Sequence, residues 1–197
     1  MVMTTWTLLL TLWATQPAGT RRQVYVSPDG VFQFSYSSEF ILNTKANADE
    51  EGVSYFPVCA DPTVCVVSRR NYFSGTNFQA ASFAEREITD ATSKLACLKG
   101  PADGIPRYPL PESDQTRVIS GLTFGHWLSG EVGAGNGSTT DFYRVFHGHK
   151  CYELSLVIAE SSFGNFDPGT KKEFTRDDER RVMRDLMVSL NSFRFLK

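Results

Sequence analysis

This 197-residue sequence lacks the short signatures that announce a chemistry. It has no G-x-S-x-G elbow for a hydrolase nucleophile and no G-x4-G-K-[ST] loop to cradle phosphate. Cysteine never recurs as C-x2-C, and the three His never as H-x3-5-H, so the dithiol redox motif and the zinc-finger spacings are missing. Basic runs stop at two residues, in Arg21-Arg22, Arg69-Arg70, Lys171-Lys172 and Arg180-Arg181, and read as solvated surface pairs. With 20 Lys and Arg against 22 Asp and Glu, the net charge is −2, which gives no reason to expect nucleic acid or an anionic bilayer as partner.

Long apolar runs are missing as well. The apolar run Trp6–Ala14 (WTLLLTLWA) covers nine residues, whereas spanning a bilayer takes about 20. A signal-peptide h-region has that length. Small residues follow in ATQPAGT, where Ala18 or Gly19 offers a cleavage edge. No Lys or Arg precedes the run, and a core helix or strand is the alternative reading of it. The expectation is a signal peptide over residues 1–18 and one domain over 19–197, periplasmic or secreted, in a bacterial-type exported protein. No stable membrane span would remain after processing. No Cys follows the run, so no lipid anchor is indicated.

The composition, 41% hydrophobic with 15 Phe and 21% charged, is that of a globular domain. A chain of this size buries roughly 70% of the surface that its unfolded form exposes, so a core is available without a metal. The four Cys, at 59, 65, 97 and 151, form an even set suited to disulfides in an oxidising compartment, and three full pairings are open. Cys59 and Cys65 bracket a turn-prone ADPTV between strand-like flanks, where they can face each other across a hairpin; this leaves Cys97 for Cys151. Such loops would contribute about 2 and about 4 kcal/mol. Four reduced, buried thiols are the alternative.

Alternation gives the first strands. Val24–Val26 and Val31–Tyr36 flank the turn SPDG, and Phe32, Phe34 and Tyr36 alternate with Gln33 and Ser35. Residues 43–52 read as a polar loop, and Tyr55–Cys59 with Val64–Ser68 as a hairpin. Phe83, Ala84, Ile88, Ala91 and Leu95 fall at helical spacing, which predicts a helix over Phe78–Leu98, stopped by Gly100-Pro101. Residues 100–116 hold four of the nine Pro and read as a surface connection. Val118–Val132 reads as a strand, Gly133–Thr139 as a turn, and Thr140–Phe146 with Lys150–Ala159 as a hairpin through His147-Gly148-His149. Residues 161–174 read as a loop. Thr175 then caps a second helix with acids in its first turn and a stripe of Val182, Met183, Leu186, Met187 and Leu190. Ser192–Phe195 closes the chain as a short strand or core-packing tail. The class is α+β, an antiparallel sheet flanked by helices, with no internal repeat or linker.

Several stretches carry a diffuse family pattern. The opening SPDGVFQFSYSSEF, the segment NFQAASFAERE, the strand start ISGLTFGHWL, the hairpin DFYRVFHGHKCYELSLVIAE and the ending SLNSFRF resemble PsbP-like and Mog1-like domains over about residues 23–196. Ser37-Ser38 stand where that pattern usually has Pro, and the Cys pairs are outside it. The resemblance implies an αβα sandwich and mostly non-enzymatic assembly or binding roles; no site residue is carried over.

Candidate chemistry is sparse. On an uninterrupted strand His147, His149 and Cys151 would project from one face as a soft-metal set. A turn at Gly148 or a disulfide at Cys151 would dismantle it. His126, with Asp141 or Glu131, offers an acid–base pair for a hydrolase, against a half-buried structural His. GAGNG at 133–137 is followed by no Lys and reads as a β-turn; Asn136-Gly137-Ser138 is a glycosylation sequon. Asp49-Glu50-Glu51 reads as a solvated acidic loop. Tyr72-Phe73, Phe78, Phe163 and Phe166 either form an exposed binding surface or plug the ends of the fold. The leading expectation is an exported, non-catalytic binding or assembly module with a protein partner in the cell envelope, no cofactor and no catalytic residue. It carries exposed loop aromatics, intact disulfides and no convergent polar pocket. The competing expectation is a hydrolase or metal-dependent enzyme using His126 or His147 and His149.

Overall fold

The computed structural model describes residues 21–44, 59, 63–100 and 108–196. The expected signal segment 1–18, most of the polar loop over 43–52, Asp49-Glu50-Glu51 and the strand expected over 55–58 lie outside the described residues.

In chain order the elements are β1 (Arg22–Val26), β2 (Phe32–Ser37), β3 (Phe40–Thr44), β4 (Val64–Ser68), β5 (Phe78–Ile88), α1 (Lys94–Leu98), β6 (Thr116–Ile119), β7 (Leu122–Gly133), β8 (Asn136–His147), β9 (Lys150–Ser161), α2 (Arg176–Ser192) and β10 (Arg194–Phe195). They build a seven-stranded sheet in the order β3-β4-β5-β9-β8-β7-β6 and a three-stranded sheet β1-β2-β10. Every pairing within both sheets is antiparallel. The three long hairpins close through two-residue turns whose central residues are all left-handed: Ser120-Gly121, Ala134-Gly135 and Gly148-His149. That backbone matches the right-handed twist of the strands it joins.

One face of the large sheet carries the core. Side chains alternate along a strand, so Leu154, Leu156 and Ile158 of β9 share a face with Ala81 and Phe83 of β5 and with Tyr143 and Val145 of β8. Onto this face α2 lays Val182, Leu186 and Leu190, and β2 lays Phe32, Phe34 and Tyr36. The Phe34 ring meets Phe83 near edge-on at 4.8 Å, and Phe193, just after α2, stacks on Phe32 at 5.4 Å. Each fully buried Phe stabilises the fold by about 1.5–3 kcal/mol.

The opposite face carries α1 and two small apolar clusters, one around Ala80 and Ala159 and one around Cys97 and Cys151. Glu153 is buried there between Arg144 and Arg86, at 2.7 and 2.6 Å, and the Arg144 guanidinium lies over the Trp127 ring. A Cys97–Cys151 disulfide fixes α1 to β9, with Cα atoms 5.6 Å apart, and a second disulfide joins Cys59 to Cys65, 5.9 Å apart. Both pairings are the ones favoured from the spacing.

The class is α+β, an antiparallel sheet with a helix on each face and a small sheet beside α2. Four expectations are corrected. Phe78–Ile88 is a strand, and only Lys94–Leu98 is helical, capped by Ser93. The helical stripe misled because β5 lies inside the sheet with both faces buried from Ala80 to Glu85, so small apolar residues run on without alternation. Leu95, expected inside, is exposed. The single strand over 118–132 is a hairpin, broken at Ser120-Gly121, and the turn expected over 133–139 shrinks to Ala134-Gly135 because β8 begins at Asn136. Asn43 and Thr44 belong to β3 rather than to a loop, and β3 with β5 flanks β4. The second helix matches its signals: Thr175 and Asp178 form a reciprocal capping box.

Candidate functional site

Ser161 ends β9 next to the β7–β8 hairpin, and the chain then returns past the sheet end to start α2. Asn77 fixes this return. It is buried, donates to the Ser161 carbonyl at 2.6 Å and accepts from the Phe174 amide at 2.5 Å. Between the hairpin, the end of β9 and the first turn of α2 lies an open cleft of about 710 Å³. Its volume falls within the range of about 300–1,000 Å³ typical of ligand sites.

Two kinds of side chain line the cleft. Tyr108, Val132 and Phe163 are exposed apolar groups at its margin; Val132, on the hairpin next to the tip, is 87% exposed. Glu131, Glu160, Glu173 and Glu179 are the acids, with Arg176 as the cation among the described lining residues. The Glu160 carboxyl is held above its ordinary range, first by burial and then by repulsion from Glu179 and Glu173. The arrangement can attract a cation and offer apolar surface beside it. Among the described residues no three His, Cys, Asp or Glu side chains are placed to hold a metal ion.

His126 lies elsewhere. Its Nε2 is 3.0 Å from Asp141 Oδ1 and its Nδ1 is 2.7 Å from the Asp114 carbonyl, while the ring stacks on Tyr143 at 4.4 Å. Asp141, rather than Glu131, is therefore the carboxylate partner. Both ring nitrogens face oxygen atoms of Asp114 and Asp141, so neither is directed at a nucleophile, and His126 does not line the cleft. Burial pushes the Tyr143 hydroxyl up to about 12, with Asp141 adding to the effect.

The strand register does not bring His147, His149 and Cys151 together. His147 stacks on Phe195 at 3.9 Å, His149 occupies the left-handed turn, and Cys151 is disulfide-bonded. Gly148-His149 breaks the alternation that would have aligned them.

The loop aromatics divide. Tyr72 is buried and Phe73 and Phe78 are half-buried, all three packed in one cluster with Phe174, so they plug the fold. Phe166 is half-buried under Lys171, and Phe163 alone of this set is exposed. Asn136 of the sequon accepts from Gln79 and Ser161, both at 2.8 Å, which ties β8 to β5 and β9. Sequence reasoning missed Glu160, Glu173 and Glu179, and had placed Glu131 only beside His126. The four come from separate elements, and no local pattern links them. Val132, Phe163 and the end of the 133–137 turn were the available pointers.

No protein-family model matches the chain, and no curated protein matches it. The solved structures to which the chain is similar include three. A cyanobacterial PsbP (CyanoP) from Synechocystis sp. PCC 6803 has 12% identity and a TM-score of 0.46, over 93% of this chain and 98% of that one. LpqN of Mycobacterium tuberculosis, described as involved in cell envelope biogenesis, has 9% identity and a TM-score of 0.45, over 89% and 90%. A Bacteroides thetaiotaomicron VPI-5482 protein has 11% identity and a TM-score of 0.43 over 88% of this chain; this chain covers 48% of its length. The chain resembles PsbP-like domains diffusely. The likeness is one of fold alone.

Proposed function

We propose that this protein is an exported, non-catalytic binding module that docks a protein partner in the cell envelope through the cleft at the end of the large sheet. The observation that carries the reading is the exposed apolar margin of that cleft. Val132 and Phe163 stand in solvent beside a concave surface, where they contribute nothing to the core. Large apolar groups gathered at a concavity favour association, because covering them removes apolar area from water.

The two disulfides support an extracytoplasmic compartment, since such bonds persist where the surroundings are oxidising. No helix among the described residues is long and apolar enough to cross a membrane. At His126 the acceptors on both nitrogens favour a clasp between β7, β8 and the turn preceding β6 over an acid–base catalyst. Site-specific photocrosslinking in cells tests the proposal. A photoreactive residue at Val132 or at Phe163 should give one discrete adduct, the same for both positions. The same group at Val118, exposed on the edge strand β6, should give none. Equal capture from all three positions, or none from any, would count against a docking face here.

A further inference from the structure

The chemistry of the docked partner is written in the charge of the cleft. Overall the protein is near neutral, at −2, yet the cleft gathers four carboxylates against one guanidinium, that of Arg176. Ion pairs among the described residues join Arg86 and Arg144 to Glu153, Lys150 to Glu87, His126 to Asp141 and Arg180 to Asp177. Glu131, Glu160, Glu173 and Glu179 take part in none of them. The fold therefore brings together like charges from β7, β9, the segment before α2 and α2, and among the described residues it sets one cation, Arg176, against the four and pairs none of them. Like charges gathered along a concave surface add their potentials and raise the local concentration of cations.

Resting on the reading of the cleft as a docking face, we infer that its occupant is a basic peptide segment of a partner protein, placing Lys or Arg side chains among the glutamates and an apolar side chain against Tyr108, Val132 and Phe163. A bare metal ion fits poorly, because no three of the acids converge. An acidic segment or a nucleic acid would meet repulsion. A small polycation would satisfy the carboxylates and leave the apolar margin uncovered.

The test uses the full chain and three fluorescent peptides of equal length, alternating Lys with Phe, Lys with Ser, and Glu with Phe, read by anisotropy. The Lys–Phe peptide should bind. The Lys–Ser peptide should bind about ten-fold more weakly, and the Glu–Phe peptide should not bind detectably. The double variant Glu160→Gln/Glu179→Gln should weaken the Lys–Phe peptide about ten-fold, and roughly 0.5 M salt should remove most of that difference. Val132→Ser should weaken it comparably without altering the salt dependence. These side chains belong to no core cluster, so circular dichroism and thermal melting should show the variants folded.

Unchanged Lys–Phe binding in the double variant, or equal binding of Glu–Phe, would overturn the inference. If both Phe peptides bind equally and Val132→Ser weakens both, the docking face survives and the basic occupant does not. If spermine displaces the Lys–Phe peptide while Val132→Ser changes nothing, the occupant is a small cation and the peptide reading fails. If the cleft is instead filled by a second copy, sedimentation will show a dimer that the double variant dissociates, which also overturns it. If no peptide responds to any of these substitutions, both readings fail.

Discussion

Replacing Glu85 by Gln removes a carboxyl that β5 places on the core face of the sheet, in register with Leu154. Glu85 is 1% exposed, and its Oε2 has no hydrogen-bond partner among the described residues. Burial pushes its pKa from 4.5 up to about 8, with Glu87 and Asp29 adding repulsion, while a hydrogen bond from Thr63 and the Lys150 charge act in the opposite direction. An acid whose pKa is higher in the folded state binds a proton that the unfolded chain releases. Its contribution is fully present below pH 4.5 and is lost as pH rises through about 8. At 1.36 kcal/mol per unit, the loss amounts to roughly 5 kcal/mol over the window and about 3 kcal/mol by pH 7. Gln keeps the shape of the protonated acid and cannot ionise. Glu85→Gln should therefore be more stable than the parent by about 3 kcal/mol near pH 7, with the difference still growing towards pH 8 and shrinking to little near pH 5. Urea unfolding at several values between about pH 5 and pH 8 measures it. Parallel stability curves for the two proteins would refute the argument, because they would mean that Glu85 reaches water or a cation in the folded state.

Further substitutions probe the frame. Cys97→Ser with Cys151→Ser should cost about 4 kcal/mol in chemical denaturation, because that bond closes a loop of 54 residues; opening the Cys59–Cys65 loop, with a separation of 6, should cost about 2 kcal/mol. An equal loss from both would show that loop closure does not set their weight. Gly125→Ala should destabilise by roughly 1–3 kcal/mol, since the added methyl would sit 2.6 Å from the Leu98 carbonyl oxygen and push α1 off the sheet; a melting temperature at or above that of the parent would contradict this. Thr175→Ala should cost about 1 kcal/mol by removing the cap of α2, and Thr175→Ser should restore most of it.

Where one face of an element is wet, the sequence states its structure plainly. Phe32, Phe34 and Tyr36 alternate because β2 has one buried face, and the stripe from Val182 to Leu190 is legible because α2 shows its other face to solvent. At β5 this signal disappears. With Ala80 to Glu85 all buried, nothing alternates, and the small residues imitate a helical stripe. The disulfide pairing was legible from spacing once Cys59 and Cys65 were matched. His126 and Asp141 were legible as a pair, but the Asp114 carbonyl that occupies the other nitrogen was not, because a backbone group leaves no trace in the residue order. The cleft was the least legible feature. Glu131, Glu160 and Glu179 lie on three elements whose register and packing bring them to one place, and only Phe163 and the Val132 hairpin hinted at a surface there.

The central claim is that this protein works by docking a basic segment at the sheet end. Backbone amide mapping by NMR during titration with the Lys–Phe peptide tests it most directly. The account predicts shifts concentrated at Glu131, Val132, Glu160, Phe163 and Glu179, with little change around His126 or at the His147–Lys150 turn. Shifts centred on His126 and Asp141, or spread evenly over the surface, would contradict it.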